Sequence, residues 1–392
     1  MTEFNSLTLA ADVAAAFPES IKGKTILITG VSPNSLGLAT AAALAAQAPE
    51  RLILTERSAD KVQAAVGELK SRYPDAKYEV LLMDLSSQES VRSAAATLNS
   101  NAEIPSIDIL INNAGVMDIP ERTLSKDGSE ISFATNHIRH FLFTKLITEK
   151  LIAASKSSQG PVRIINLTSF GHQFSPIRFS DINFTKKAAD LAEEERPELQ
   201  KAQFFYGRDW SDDAEKHGIT SYAAHPGVVD TNIGRHSNPA EVEHAQARAK
   251  ELGFSGGPKT REQGANSSVW AAVNPHLAPV DFKENLVKGV YVTDCAVADE
   301  GCADFARNAV YAERLWKLSE ELVGERFFFF TPLRHPTMLA PRVAILGVGG
   351  IDLAIARRLG AGRRLLLADI SPTSLEHATN SLTAIKTRLR ED

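Results

Sequence analysis

Lys24-Thr25-Ile26-Leu27-Ile28-Thr29-Gly30 runs through a short β-branched apolar stretch straight into a glycine, and the chain turns at once through Val31-Ser32-Pro33-Asn34-Ser35-Leu36 into Gly37. The alanine-rich segment Ala39 to Gln47 that follows has high helix propensity. This is strand, tight loop and helix. Such a loop brings backbone N–H groups and the positive end of a helix dipole to one point, which suits a pyrophosphate. Glycine spacing alone is a common pattern, so the rest of the chain must supply the partners of such a site.

Strands and helices then alternate. Arg51 to Thr55 reads as a second strand and Tyr78 to Met83 as a third. Ile107 to Ile111 and Val162 to Leu167 read as the fourth and fifth. Between them Ser58 caps a helix to about Arg72, Ser87 to Leu98 is helical, and a long helical pattern runs from about Glu130 to Ala154. This rhythm predicts an α/β fold, a doubly wound parallel sheet covered on both faces and wound by right-handed crossovers. A short leading helix is expected over Leu9 to Phe17.

The rhythm breaks at Phe170 to Phe205, a charged insertion without clear period that includes Glu193-Glu194-Glu195-Arg196-Pro197. It is expected to be solvated loop and short helix. Ile219 to Ala224 resumes as a sixth strand ending in His225-Pro226-Gly227. Helices follow at Ser237 to Leu252 and Thr260 to Val273, then a seventh strand at Gly289 to Val292 and a closing helix from Asp304 to Val323.

Composition narrows the function classes. The 392 residues are 43% hydrophobic and 23% charged, which is globular, and the net charge of −5 gives no reason to expect nucleic acid or an anionic membrane surface. No apolar run is long enough to cross a bilayer. Met1 to Ser20 carries Glu3 and Asp12 without a basic start and apolar core, so no signal peptide is expected. Two cysteines, Cys295 and Cys302, form no CxxC pair, which fits a reducing, cytoplasmic setting.

Taken together, Thr29-Gly30 with Gly37, Asp84, Asn112-Asn113-Ala114-Gly115, Asn136-His137, Ser169, and His225-Pro226-Gly227 with Thr231 stand in an order that resembles the short-chain dehydrogenase/reductase family. The nearer likeness is to its retinol-dehydrogenase-like and WW-domain-oxidoreductase-like branch, fungal members included, which ends in a helix like Leu315-Trp316-Lys317-Leu318-Ser319-Glu320. The resemblance covers about residues 20 to 326 of an expected domain 1–330. It implies a Rossmann-type fold and hydride transfer between a nicotinamide cofactor and a small carbonyl or secondary alcohol, with no metal.

The resemblance also implies the site. Gly30, Ser32, Ser35, Leu36 and Gly37 would cradle the cofactor phosphates, with Ser35 where a glycine is usual and its hydroxyl as an added donor. Asp84 and Leu85 would meet the adenine, and Asn113, Ala114 and Gly115 would approach the cofactor. Pro226, Gly227 and Thr231 would face the nicotinamide carboxamide. Asn136 would hold a helix kink and a relay water. Glu56 and Arg57 point opposite ways, the acid toward NAD and the arginine toward NADP; the branch's habit tips the expectation to NADP. His172 suits the branch, but an exposed loop histidine is the plainer reading.

The chemical half departs from the family. Ser169 matches the serine that binds the substrate oxygen, and Tyr206 is the candidate acid, yet Trp210 stands four residues on where the family has lysine. About ten residues that the family places between Tyr206 and His225 are absent, roughly three helical turns. A tyrosine without that lysine has a pKa near 10 and is ionised about once in a thousand at pH 7. Alcohol oxidation, which needs the phenolate, suffers more than carbonyl reduction, which needs the neutral acid. The alternative is a catalytically impaired nucleotide-binding protein. The family's homodimer uses the same helix, so its shortening weakens that assembly.

Past a linker over 331–341, Arg342-Val343-Ala344-Ile345-Leu346-Gly347-Val348-Gly349-Gly350 restarts the pattern and Asp369 closes a second strand. Residues 342–392 are expected to be a partial Rossmann β-α-β-α unit. Asp352 puts a carboxylate where the last glycine would be, so a fused remnant is expected there.

Overall fold

The computed structural model describes residues 4–157, 160–191, 193–195, 217–251, 257–277, 291–327, 343–346 and 365–368. The chain divides into two compact units, Met1–Leu333 and Arg334–Asp392.

In the first unit, short apolar runs form strands β1 (Thr25–Thr29), β2 (Arg51–Glu56), β3 (Tyr78–Leu82), β4 (Ile109–Asn112), β5 (Val162–Leu167), β6 (Ile219–His225), β7 (Tyr291–Thr293) and β8 (Ala296–Val297). They make one sheet in the order β3-β2-β1-β4-β5-β6-β7-β8, parallel as far as β7. β1 is all buried, as a central parallel strand must be. The order reverses between β1 and β4. Asp108 locks that seam by accepting from the Thr25 N–H (2.9 Å) and from Lys24 Nζ (3.1 Å).

Helices α1 (Ala10–Ala16), α2 (Leu36–Ala45), α3 (Ala59–Arg72) and α4 (Gln88–Ser100) precede α5 (Ile131–Phe133), α6 (Arg139–Leu146) and α7 (Thr148–Ser157). Serine hydroxyls cap α2, α3 and α4, each accepting the N–H three residues on. The continuous helix expected over 130 to 154 is interrupted. A π-helical turn, Ala134–Ile138, separates α5 from α6, and Ile147 separates α6 from α7. The segment expected as one closing helix is likewise broken at Asn308, whose side chain caps Ala309–Val323 by accepting from Val310 and Tyr311 N–H.

Each face of the sheet carries a buried apolar cluster. One packs Ile26, Ile28, Leu52 and Ile165 against α1, α2, α3 and the helix Asn266–Val273. The other packs Leu27, Ile53, Leu110 and Ile164 against α4, α6, α7 and Trp316. Trp316 meets Phe141 edge-on at 5.1 Å, and Lys145 Nζ lies 4.1 Å from its ring centre. His137 reaches Ser319 at 2.8 Å, tying the π-helical turn to the closing helix. Buried Arg163 of β5 donates to the carbonyls of Ala271 (2.8 Å) and Asn274 (2.7 Å), a cation at the negative end of a helix.

Two expectations need correction. The insertion after Phe170 is pinned as far as its description runs. Phe170, Phe174, Arg178, Asp181 and Leu191 are buried. Glu195, expected in solvent, is buried too and accepts from the Ser180 hydroxyl. An eighth strand was not foreseen. β7 turns into antiparallel β8 through Asp294 (φ 52°) and Cys295 (φ 61°), both left-handed, the geometry of a type I′ hairpin. Asp-Cys lacks the glycine that usually announces this turn.

In the second unit, strands β9 (Val343–Leu346) and β10 (Leu365–Ala368) pair in parallel. Gly347, Gly349, Gly350, Asp352 and Asp369 lie outside the described residues.

Candidate active site

The C-terminal ends of β1 and β4 meet where the strand order reverses, which is where open α/β sheets place their ligands. Glycines allow the elements to touch there. Gly30 has φ 74°, and a Cβ on it would lie 2.7 Å from Ala114 Cα. A Cβ on Gly37 would lie 2.6 Å from the Gly30 carbonyl oxygen and 2.7 Å from Asn113 Nδ2. The first turn of α2 therefore sits directly against the loop and the Asn113 turn.

Asn113 serves as the clasp. Its Nδ2 donates to the carbonyls of Thr29 (2.7 Å) and Gly30 (3.2 Å). The N–H groups of Asn113 and Ala114 both donate to the Thr29 hydroxyl, at 2.9 and 3.0 Å. Asn112, one residue earlier, donates to Asn166 (2.9 Å) and Thr144 (3.2 Å), and Asn166 donates to Ser221 (3.1 Å). A strip of polar side chains so links α6 to β4, β5 and β6.

Ser35 behaves differently from its expected role. Its hydroxyl accepts from the N–H groups of Ser32 (3.2 Å) and Leu38 (3.1 Å) and donates to the Gly30 carbonyl (3.4 Å). It is consumed within the loop and adds no donor toward a ligand. The first-turn N–H groups of Leu36 and Gly37 are the helix-end donors that remain.

At the outer end of the cleft, Asp84 accepts from the Ser86 N–H (2.9 Å), and Lys126 Nζ stands 3.7 Å from its carboxylate. Burial opposes its charge, but the Ser86 bonds and the charges of Lys126 and Arg57 hold its carboxyl below the usual range. Ser87 caps α4. Arg57 is exposed.

On the other side lie Asn136, Ser169 and the segment after β6. Asn136 exchanges two bonds of 2.9 Å with the backbone N–H and carbonyl of Val116, so the amide inside the π-helical turn is paired with the strand-end loop. The Ser169 hydroxyl accepts from the Gly171 N–H at 3.1 Å, which leaves its own proton to donate. His172 is buried, contrary to the exposed-loop reading. Its Nδ1 donates to the Ser169 carbonyl (2.7 Å) and its Nε2 accepts from the Ala303 N–H (3.1 Å). Burial lowers its pKa and a bond to Ser169 opposes the shift. Thr231 caps the short turn Asn232–His236 through a bond from the Ile233 N–H at 3.4 Å. Tyr206, Arg208 and Trp210 lie outside the described residues.

Sequence reasoning missed Gly264. A Cβ there would meet Val229 Cγ2 at 2.4 Å and Leu36 Cδ1 at 3.2 Å. Leu36 opens α2 and Val229 belongs to the segment after β6, so both pack on that glycine. Its neighbour Arg261 donates to the Asn34 carbonyl at 3.3 Å.

The sheet order and the glycine-clasped seam define a doubly wound Rossmann-type protein. Sequence comparison sharpens this. The family profile described as short chain dehydrogenase matches residues 24–191. Retinol dehydrogenase 12 of Mus musculus is 33% identical over 304 residues, 78% of this chain and 87% of that protein. Oxidoreductase fscI of Fusarium equiseti is 42% identical over 202 residues, 52% of this chain and 77% of that one. Among solved structures, an uncharacterised protein of Mycobacterium paratuberculosis superposes with a TM-score of 0.55 at 26% identity, covering 80% of this chain and 98% of its own. The chain belongs to the short-chain dehydrogenase family, as a retinol-dehydrogenase-like member.

Proposed function

We propose that the chain is an NADP(H)-preferring oxidoreductase that interconverts a small carbonyl compound and its alcohol, with a bias to reduction, in a reducing cytoplasmic setting. The cradle carries this reading. Gly30 and Gly37 leave no room for a side chain, so the loop and the first turn of α2 pack directly together, and the N–H groups at that helix N-terminus suit a pyrophosphate. Leu36 and Gly37 would hold the phosphates, Arg57 a 2′-phosphate, Asp84 the adenine, and Pro226, Gly227 and Thr231 the carboxamide. When bound, the nicotinamide supplies or accepts the hydride.

The chain's own groups handle the proton and the substrate oxygen. The Ser169 O–H is left free to donate to that oxygen by the bond it accepts from Gly171. Tyr206 is the group that would deliver the proton. A neutral tyrosine can do so without a lysine beside it, which is the basis of the reductive bias. Trp210 at the lysine position favours a second reading, a nucleotide-binding protein without turnover.

Titration of the purified protein with NADPH and NADH, then assay against a carbonyl panel by loss of reduced-cofactor absorbance, separates the two. Turnover that vanishes in Tyr206→Phe while NADPH binding persists supports the enzyme. Tight binding with no turnover on any carbonyl sinks it in favour of the second reading. The homodimer proposed for the family's helix is tested in the same preparation by its mass in solution.

A further inference from the structure

The segment after β6 is gripped by one lysine from two sides. Gly227 has φ 85°, and a Cβ on it would lie 2.8 Å from Lys259 Cε, 3.0 Å from Cδ and 3.0 Å from Nζ. The lysine stem and ammonium thus lie directly against this glycine. The Lys259 backbone N–H donates to the Val228 carbonyl at 2.7 Å, and Lys259 pairs in parallel with Val229. Side chain and main chain of one residue therefore hold three consecutive residues, 227 to 229.

The ammonium is fixed in turn. Lys259 is 8% exposed, and its Nζ pairs with the carboxylate of Asp294. Asp294 occupies the left-handed turn between β7 and β8, where its N–H donates to the Ser267 hydroxyl at 2.9 Å. Simple space filling would be served by an apolar side chain, since removing a cation from water carries a cost that only a placed partner offsets. The pair converts the β7–β8 hairpin into a fixed point for the loop. Its charge is felt next door. His225 is driven to a pKa of about 3 by burial first, then by His172 and Lys259.

We propose that Lys259, held by Asp294, is the positioning residue for the nicotinamide end of the cleft: it sets the path of Pro226 to Thr231 and acts only through that segment. This role rests on the proposed cofactor site. It makes a specific demand, because a brace at one end of the cleft affects ligands that reach that end and spares those that do not.

Two ligands separate the ends. NADPH spans the whole cleft, whereas adenosine 2′,5′-bisphosphate carries the adenosine half and lacks nicotinamide. In Lys259→Met and in Asp294→Asn, NADPH is expected to bind roughly tenfold more weakly while the bisphosphate affinity stays within about twofold of the unaltered protein. Parallel loss for both ligands, or loss for neither, overturns the positioning role. Should Lys259→Met fail to show a cooperative melt, Asp294→Asn carries the test, because its side chain is 41% exposed and the variant keeps the turn residue's shape. An unaltered protein that binds neither ligand overturns the cofactor reading itself, a result distinct from a selective or unselective loss in the variants.

Discussion

The Thr29 hydroxyl donates to His140 Nε2 across 2.9 Å, and the surroundings fix that direction. His140 Nδ1 faces the Asn136 carbonyl at 3.2 Å, which can only accept. The Thr29 oxygen already receives the N–H groups of Asn113 and Ala114. His140 is therefore neutral, its Nδ1 protonated, and one proton arrangement joins the floor of the cleft to the π-helical turn.

Acid should undo this arrangement. Burial drives the His140 pKa from 6.5 down to about 4, with the bond to Asn136 working the other way. Between those values the unfolded chain binds more protons than the folded one. Stability is then present in full above pH 6.5 and is lost as pH falls toward 4, on the order of 3 kcal/mol for this residue. His172 and His225 shift in the same direction. Denaturant unfolding at stepped pH should show this acid limb, and His140→Gln should make it shallower while His172 and His225 keep their share. An equal slope in both proteins would remove His140 as its source.

Gly37→Ala should lose NADPH binding. In a helix the change gains about 1 kcal/mol of propensity, but the new methyl would sit 2.6 Å from a backbone carbonyl oxygen that cannot yield cheaply. Overpacking of this kind costs about 1–3 kcal/mol, so the net sign is destabilising. Cofactor titration and a melting curve check both effects, and a variant that binds normally would mean that α2 is not held against the loop.

Arg57→Ala should discriminate between cofactors. Arg57 is exposed beside Glu56 at the end of β2, and its charge acts on Asp84. Loss of a charge-assisted bond to a 2′-phosphate, worth about 1.5–3 kcal/mol, should weaken NADPH roughly tenfold or more and leave NADH nearly unchanged. Paired titrations by cofactor fluorescence decide this. Equal loss for both would refute the assignment of Arg57 to the phosphate.

Trp316→Ala should destabilise the fold by about 3–5 kcal/mol. It empties the pocket beneath Phe141 and strips the aromatic face from the Lys145 ammonium. Trp316→Phe keeps a ring there and should cost less. Equilibrium unfolding of the two variants gives the comparison, and a near-neutral Trp316→Ala would mean the closing helix contributes little to the core.

The parallel sheet was legible because buried strands and amphipathic helices write opposite periodicities into the chain, and serines stood where caps were needed at α2, α3 and α4. The glycine seam was legible for a similar local reason. Breaks inside helices were less so, and the kink at Asn136 was expected only through the family resemblance. The interruption at Ala134–Ile138 leaves the apolar pattern intact, so its only local sign was an amide, Asn136, in an apolar stretch. Lys259, His140 and Gly264 act through partners far away in sequence, Asp294, Thr29 and Val229, and no local pattern announces such pairings. Glu195 looked solvated within an acidic run because its partner, Ser180, lies on a loop without periodicity.

The seam locked by Asp108 has a consequence for synthesis. β1 can pair with β2 once some sixty residues of chain are available, but its other edge waits for β4. Until Asp108 arrives, the Thr25 N–H and the Lys24 ammonium lack the acceptor that closes that edge, and the Thr29 hydroxyl lacks the two donors of the Asn113 turn. An early nascent chain thus carries the glycine loop on an open strand edge, a template for mispairing. The residues that close this seam also end the exposure of β1, so the emergence of residues 108 to 114 is the step at which the glycine loop gains the Asn113 clasp and β1 ceases to be an edge.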